Sequence, residues 1–256
     1  MCPADREAIE ALHDRGVVVT IATGRMYSGT RYVARSIGIA GPVACIDGSN
    51  IVNVETDESL ICHSIDGAVR ARIGQLLTEM NAATVVFSTD TIYYDQQSHP
   101  YLPFLSVWSD RLEQVDGVLA DPRWTDDAAA TAAVAIASRQ DITALQELIR
   151  REFVGKIQTI TFSVQQDDVW GMVLRASGVS KGTALAWMAW HHGITIQETV
   201  AVGDWLNDIP MLVAAGRSFC MAHAPAEVAE AATERLSADG WHGGGIAEAA
   251  RRCEML

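Results

Sequence analysis

Three short groups of polar residues in this chain combine side chains that can do chemistry together. The largest is Gly203-Asp204-Trp205-Leu206-Asn207-Asp208, which comes directly after the apolar run Val200–Val202. Oxygen side chains grouped in this way suit a hard cation such as Mg²⁺, which proteins hold with one or two carboxylates, water and substrate phosphate. A helix cap would explain one of these side chains but not the whole cluster.

The other two groups carry positive charge and backbone donors. Thr23-Gly24-Arg25 follows the β-branched run Val17–Ile21, and a hydroxyl, an open amide and a guanidinium together can grip a phosphate. Gly178-Val179-Ser180-Lys181-Gly182 places a lysine where a loop meets a predicted helix, and a compact ammonium can offset the charge of a phosphoryl oxygen. Taken singly, each group has a plain alternative, because Thr23 can cap a helix and surface lysines are usually solvated.

These groups need a scaffold that gathers the ends of several strands, and the apolar pattern predicts one. Helices and strands alternate at both ends of the chain, with helices at 4–15, 27–37, 182–192, after 207 and from 224, and strands at 17–21, 42–46, 199–202 and 218–221. This alternation is typical of a doubly wound α/β sheet, in which 17–21 is a strand buried on both faces. Ligands of such sheets bind beyond the carboxyl ends of the strands, where Asp204 falls.

The middle of the chain has a different pattern. A helix followed by two strands occurs twice, at 66–80, 84–87 and 91–94, and again at 142–153, 157–164 and 169–175, with a further apolar run at 132–137. Such an order predicts an α+β insert with an antiparallel sheet, while 96–124 gives no clear pattern. We therefore predict a discontinuous core domain at 1–63 and 176–256, interrupted by a second domain at 64–175.

Composition narrows the class of protein. The net charge of −13 and the absence of a dense run of Lys and Arg argue against nucleic acid as a partner. No apolar run reaches the roughly 18 residues that a membrane helix needs, and the first residues lack the apolar core of a signal peptide. The five cysteines are scattered and include no C-x-x-C pair, which argues against disulfides and structural zinc. We predict a soluble cytoplasmic protein without a membrane partner.

Together and in this order, the polar groups resemble the motifs of the Cof-like branch of haloacid dehalogenase-like phosphatases. Residues 22–25 are similar to the second motif of that family, 178–185 to the third and 203–212 to the fourth. The resemblance covers essentially the whole chain, including the position and size of the inserted domain, which is the cap of the family. It implies a Rossmann-like core, Mg²⁺ as cofactor, and hydrolysis of a small phosphorylated metabolite such as a sugar phosphate.

The resemblance also implies roles for the cluster around the fourth motif. Asp204 would coordinate Mg²⁺, and Asn207 and Asp208 would complete the metal-binding group and orient water or Lys181. Lys181 would bridge the nucleophile and the phosphoryl group that is transferred. The predicted metal ligands are therefore Asp204, Asn207 and Asp208, and Lys181 and Asp208 are predicted catalytic residues.

Further positions are implied to face the phosphate and the substrate. Thr23, which is also predicted to be catalytic, and the Gly24 amide would hold phosphate oxygens, and Arg25 would shape the same pocket. Asp47 stands where such proteins usually have an asparagine facing the substrate. His223 likewise stands where an asparagine is common, and a loop histidine there needs no special role.

One motif of the family does not occur in this sequence. Family members begin with a strand that ends in Asp-x-Asp-Gly-Thr, whose first aspartate forms an aspartyl-phosphate and whose second acts as general acid and base. No Asp-x-Asp is present in the 256 residues. Residues 3–25 are similar to the segment that follows it, so we expect the working protein to be longer by about 20 residues, with the missing strand between those ending at Thr23 and Asp204.

Two other functions fit the same residues. The chain would be a non-catalytic protein that binds phosphometabolites if it naturally lacks the nucleophile, because Thr23, Lys181 and Asp204 would still form a binding site. A phosphomutase is the other alternative, since one branch of the superfamily transfers phosphate between sugar positions.

Overall fold

A computed structural model describes residues 1–88, 90–126, 130–164 and 168–256. The chain divides into two compact units, which we call the first unit (Met1–Gly24, Arg31–Leu60 and Ser180–Leu256) and the second unit (Arg25–Thr30 and Ile61–Val179). The predicted domains, 1–63 with 176–256 and 64–175, have boundaries a few residues from these divisions. The difference is the short stretch 25–30, which groups with the second unit.

Helices and strands are numbered in chain order over the described residues. The α-helices are α1 Pro3–Asp14, α2 Arg31–Ser36, α3 Gly67–Glu79, α4 Leu102–Leu105, α5 Pro122–Thr125, α6 Arg139–Glu152, α7 Lys181–His191, α8 Ile209–Ala214, α9 Ala226–Ala231 and α10 Gly245–Arg252. The strands are β1 Pro42–Cys45, β2 Asn50–Asn53, β3 Ser59–Cys62, β4 Ala83–Ser88, β5 Thr91–Tyr94, β6 Leu112–Gln114, β7 Ala130–Ser138, β8 Ile157–Ser163, β9 Val169–Ala176, β10 Val200–Gly203, β11 Arg217–Cys220 and β12 Glu234–Arg235. Each of these helices is too short to cross a lipid bilayer.

The first unit carries the predicted parallel pairing at its C-terminal end. β10 pairs with β11 and β11 with β12, all in parallel, and apolar side chains of α7, α8 and α9 pack against this sheet. Parallel neighbours need a crossover connection, which α8 supplies between β10 and β11 and α9 between β11 and β12. The Gly203 end of β10 therefore lies at the same sheet edge as the Cys220 end of β11, which is where the fourth-motif residues begin.

The prediction of a strand at 17–21 is wrong. Only Ala22 pairs as in a strand, through an isolated parallel bridge with Ala44, and Val18 is 53% exposed where burial on both faces was predicted. A central strand needs partners along both edges. Within the described ranges, no strand pairs with the other edge of 17–21 or with the outer edge of β10, where Val200 is 38% exposed.

The helix predicted at 27–37 is shorter than expected and begins at Arg31. The preceding residues are held by contacts within the second unit instead: the Met26 N–H donates to the Trp108 carbonyl at 2.8 Å, and the Ser28 N–H donates to Asp90 Oδ1 at 2.6 Å. These contacts, which link residues distant in sequence, fix the backbone before the helix can start. Periodicity in one window gives no signal for them.

The second unit contains the predicted α+β arrangement. Its six-stranded sheet has the order β6-β5-β4-β7-β9-β8, in which β6 alone runs parallel to its neighbour. One face is covered by α3 and α6, whose apolar side chains form the core with alternate residues of the strands. The stretch 96–124, which has no clear sequence pattern, contains α4 and β6 and most of α5. The two helix-strand-strand segments thus merge into a single sheet.

Candidate functional site

Lys181 is held at the N-terminus of α7 by a capping box and a buried ion pair. The Ser180 hydroxyl accepts the Thr183 N–H at 3.1 Å, and the Thr183 hydroxyl accepts the Ser180 N–H at 2.9 Å. This cap makes Lys181 the first residue of the helix. Its Nζ donates to Asp208 Oδ1 at 2.6 Å, and the two side chains are only 9% and 5% exposed.

Asp208 also organises the loop that follows β10. Its Oδ2 accepts the backbone N–H of Asp204 at 2.9 Å and that of Trp205 at 3.0 Å, so both carboxylate oxygens are used within the protein. Gly203 makes this possible, because a Cβ at that position would lie 2.6 Å from the Asp208 Cβ. Asp208 was predicted as a metal ligand and as a catalytic residue. The structure places it as the partner of Lys181 and of the loop backbone.

Asp204 has a much more open environment than Asp208. Its side chain is 53% exposed at the carboxyl end of β10, and its Oδ2 lies 3.1 Å from Nε2 of His223. Exposed oxygens at the end of a parallel strand are accessible to a ligand. This is the position that the sequence predicted for the metal-binding aspartate.

Asn207 is turned toward Asp47, which belongs to a loop far away in sequence. Asn207 Nδ2 donates to Asp47 Oδ1 at 2.7 Å. Since a carboxylate only accepts, the amide nitrogen must face Asp47, and the Asn207 carbonyl oxygen faces elsewhere. Gly24 lies next to this pair, because a Cβ there would be 3.4 Å from Asp47 Oδ1 and 3.6 Å from Asn207 Nδ2. The second-motif loop and the fourth-motif loop therefore meet at Asp47.

The loop that carries Asp47 has an uncommon backbone. Ile46 and Asp47 have φ values of 51° and 53°, and Gly48 has 100°. Left-handed conformations at residues other than glycine cost about 1–3 kcal/mol each and persist where the surroundings enforce them. The Asp47 N–H donates to the Thr23 carbonyl at 2.8 Å, and a Cβ at Gly48 would lie 2.7 Å from the Ser180 carbonyl oxygen.

Most of the predicted site residues are therefore linked by contacts within the first unit. Two chains of contacts carry this arrangement: Thr23 to Asp47 to Asn207, with Gly24 beside them, and Lys181 to Asp208 to the backbone of Asp204. Arg25, in contrast, is exposed and belongs to the stretch that groups with the second unit.

The roles of two residues of the site were not predicted from the sequence. Gly203 was read only as the end of a strand, although it gives Asp208 its space. His223 was expected to need no special role, yet it contacts Asp204 through one ring nitrogen and the Gly240 backbone through the other. The departure from asparagine at 223 was the available signal.

The donor set is compatible with Mg²⁺ but is small. The Asp204 carboxylate is 53% exposed, and the Asn207 carbonyl oxygen is turned away from Asp47, so both are candidate ligands, whereas the Asp208 side chain is only 5% exposed and already holds Lys181 and the loop backbone. Among the residues that the structure describes, no three His, Cys, Asp or Glu side chains are grouped so as to hold a metal by themselves. Mg²⁺ is commonly bound by one or two carboxylates, water and substrate phosphate, so this set fits the ion.

The chain is similar in sequence to known phosphatases. Over 223 residues the chain is 28% identical to an HMP-PP phosphatase of Enterobacter sp. (strain 638), an alignment that covers 87% of this chain and 78% of the relative. A phosphoglycolate phosphatase of Methanoculleus marisnigri is 41% identical over 86 residues, which is 34% of this chain and 36% of that protein.

The fold and the family agree with the motifs. The crystal structure of a haloacid dehalogenase-like hydrolase from Bacteroides thetaiotaomicron superposes with a TM-score of 0.81 at 19% identity, covering 98% of this chain and 92% of that one. Its likeness confirms the predicted α/β core with an α+β cap. The family model described as haloacid dehalogenase-like hydrolase matches residues 2–249. The chain therefore belongs to the haloacid dehalogenase-like hydrolase family, which confirms the resemblance drawn from its motifs and the prediction of an enzyme.

Proposed function

We propose that this hydrolase is a cytoplasmic, Mg²⁺-dependent phosphatase of small phosphomonoesters, such as a sugar phosphate or a similar metabolite. The observation that carries the proposal is the buried Lys181–Asp208 pair beside the exposed Asp204 carboxylate. A fixed ammonium, together with a cation that the open carboxylate would hold, suits a phosphoryl group whose negative charge must be offset. The relatives described above, from two different organisms, are both named as phosphatases.

Lys181 supplies the positive charge that comes from the protein in this proposal. Asp208 holds the ammonium at a fixed place, so the charge is oriented before a substrate arrives and costs no reorganisation. The Thr23 hydroxyl and the Gly24 amide would hold phosphate oxygens, and the absence of a side chain at Gly24 lets a ligand approach the backbone closely. Asp47 and Asn207 keep the two loops together.

Asp204 and the Asn207 carbonyl oxygen would hold Mg²⁺. When bound, the ion supplies positive charge next to the phosphoryl oxygens. Asp208 contributes indirectly, since it fixes the backbone of Asp204 and the position of Lys181 through separate oxygens. The prediction that Asp208 is itself a ligand is therefore replaced in this proposal by a positioning role.

The nucleophile would come from an Asp-x-Asp segment that is not among these 256 residues. One carboxylate oxygen of its first aspartate attacks phosphorus and forms an acyl phosphate, while the second aspartate protonates the alcohol that leaves. Water then hydrolyses the acyl phosphate and releases inorganic phosphate. What supports this placement is that no strand of the described ranges pairs with the outer edge of β10 or with the second edge of 17–21, and an added parallel strand would pair with both.

The test compares two proteins on a panel of sugar phosphates. The first is the product of the full reading frame, including any upstream in-frame codons, and the second is the 256-residue chain. We expect Mg²⁺-dependent phosphate release by the longer protein, loss of that release with EDTA, and loss on Asp204→Ala. A longer protein that contains Asp-x-Asp and releases no phosphate from any member of the panel would overturn the proposal.

A non-catalytic phosphometabolite-binding protein is the second candidate, and the absence of Asp-x-Asp is the observation that favours it. Calorimetry with the same panel separates the two. Saturable binding that Lys181→Met abolishes, with no phosphate release by either protein, would favour binding over hydrolysis.

A further inference from the structure

His223 has a defined tautomer in this structure. The Gly240 backbone N–H donates to its Nδ1 at 3.1 Å, and its Nε2 lies 3.1 Å from Asp204 Oδ2. A backbone N–H can only donate, so Nδ1 must accept with its lone pair and carries no proton. The proton of the neutral ring is therefore on Nε2, from which it is donated to the Asp204 carboxylate.

This hydrogen bond acts on a carboxylate that is open to solvent. Asp204 is half exposed, and such a side chain samples several rotamers unless a partner holds it. His223 anchors Oδ2 and leaves Oδ1 to face a ligand. Partners that hydrogen-bond metal-binding side chains in this manner change metal affinity by about 10–100-fold when removed.

We propose that His223 is a positioning residue, which as the Nε2–H tautomer holds the Asp204 carboxylate in the orientation that binds a divalent cation. The proposal rests on the metal site proposed above and deepens it. It also explains why this chain uses histidine at 223: the ring connects a backbone donor on one side with a carboxylate on the other, and its two nitrogens lie on opposite edges of one rigid plane.

The loop that supplies the backbone donor is shaped for this contact. A Cβ at Gly240 would lie 2.9 Å from His223 Cε1, so glycine is required for the close approach. Asp239 Oδ1 accepts the N–H groups of Trp241 and His242 at 3.0 and 2.8 Å, which fixes the turn around Gly240.

The far end of this loop is tied to the N-terminal helix. Asp5 of α1 is buried, and its two oxygens accept the N–H groups of Gly244 at 2.8 Å and Ala247 at 3.0 Å. On the other side, the Ala222 N–H donates to the Ala238 carbonyl at 2.9 Å, immediately before His223. The ring is thus placed between two segments that are both fixed by hydrogen bonds.

The first part of the experiment reads the tautomer directly. In ¹⁵N-labelled protein at neutral pH, the imidazole nitrogen shifts of His223, identified by their loss in His223→Gln, should show a protonated Nε2 and an unprotonated Nδ1. A ring with the proton on Nδ1 would overturn the proposal, because it would have no proton to donate to Asp204.

The second part measures cation binding without catalysis. Mn²⁺, detected by electron paramagnetic resonance and displaced by Mg²⁺, serves as the probe. We expect His223→Ala to weaken binding at least about tenfold and Gly240→Ala to weaken it in the same direction. His223→Gln should restore binding to within a few-fold of wild type, because its Nε2 reaches the same place with a donor.

Trp241→Ala is the matched control, since this side chain belongs to the same loop and is 92% exposed. It should leave Mn²⁺ binding unchanged, and circular dichroism should show that every variant is folded. Tight Mn²⁺ binding by wild type that is equal in folded His223→Ala would overturn the positioning role alone. A wild-type protein that binds no Mn²⁺ would overturn the metal site itself, so the two failures are distinguishable.

Discussion

Asp204 and Asp208 belong to one short motif, yet their environments are opposite. The Asp208 side chain is 5% exposed and accepts hydrogen bonds at both oxygens, from Lys181 and from two backbone N–H groups. The Asp204 side chain is 53% exposed and is paired with His223. The difference shows how one loop can divide two tasks: the buried carboxylate holds the folded site together, and the exposed one remains accessible to a ligand.

Of the contacts in the site, the buried Lys181–Asp208 ion pair should contribute most to the free energy of unfolding. Asp208→Ala leaves the Lys181 ammonium buried beside an empty space, and removal of one partner of a buried ion pair costs about 3–5 kcal/mol. The two N–H groups of Asp204 and Trp205 lose their acceptor as well. We expect a loss of this size in the free energy of unfolding, measured by urea denaturation at pH 7.

The double variant Asp208→Ala with Lys181→Met is the control for this prediction. It removes the buried charge along with its partner, so it should recover a large part of the loss. A single variant that unfolds at the same urea concentration as wild type would contradict the view that this pair is a structural element.

The sequence indicated which residues belong to this cluster, but not all of their contacts. Asp204, Asn207 and Lys181 were singled out because residue type and position at the end of a strand or the start of a helix are local signals, and their roles in metal and phosphate binding stay predictions. The resemblance implied that Asp208 orients water or Lys181, and the structure has the contact with Lys181, but the hydrogen bonds from the backbone N–H groups of Asp204 and Trp205 could not be predicted, because no residue type reveals them. Asp208 was thus recognised as part of the cluster, its contacts with the loop backbone were not, and its role as a metal ligand or catalytic residue stays a prediction.

Dependence on contacts that are not local in sequence also explains why the strand predicted at 17–21 is wrong. The run at 17–21 has the composition of a buried strand, but a strand is completed by its neighbours, and those of the first unit cover one edge alone. Helices α3 and α6 and five strands of the six-stranded sheet, all but β6, were predicted closely, because their apolar pattern is local. The start of α2 was predicted wrongly because it does not depend on a local pattern. Contacts of Met26 and Ser28 with residues distant in sequence determine it.

A smaller loss should follow from crowding the buried carboxylate without changing its charge. Gly203→Ala would place a Cβ 2.6 Å from the Asp208 Cβ and 2.8 Å from its Cγ, so the loop must shift. Overpacking of this kind costs about 1–3 kcal/mol, and thermal unfolding should show it as a lower midpoint. Gly117→Ala, where a Cβ meets nothing within 4 Å, should leave the midpoint nearly unchanged. Equal midpoints for both variants would contradict the assigned role of Gly203.

The segment next to His223, the partner of Asp204, is itself held by a carboxylate, that of Glu248. Glu248 accepts the N–H groups of Ser237 and Ala238 and pairs with Arg252. Burial raises the pKa of Glu248, but the hydrogen bonds from Ser237 and Ala238 and from Arg252 outweigh it and lower the pKa from 4.5 to about 2. The Ala238 carbonyl in turn accepts the N–H of Ala222.

This pKa shift predicts the pH range in which Glu248 stabilises the protein. Because the folded pKa is lower than the unfolded one, the contribution is complete above pH 4.5 and is lost as the pH falls toward 2. With allowance for solvent screening, Glu248→Gln should cost about 1–2 kcal/mol at pH 7. Its difference from wild type should shrink between pH 4.5 and 2. Glu230→Gln, at an exposed glutamate of α9, is the matched control and should leave the free energy of unfolding at pH 7 close to that of wild type.

The smallest effect on stability should come from the exposed aspartate itself. Asp204→Ala removes one hydrogen bond to a side chain that is 36% exposed, and contacts of this kind contribute about 0–1 kcal/mol. Urea denaturation should therefore place Asp204→Ala close to wild type and far from Asp208→Ala, while Mg²⁺, if it binds at Asp204, should raise the unfolding midpoint of wild type and not that of the variant. A variant as unstable as Asp208→Ala would mean that Asp204 is part of the structural network. The division of tasks between the two carboxylates would then be wrong, whatever the variant did to metal binding.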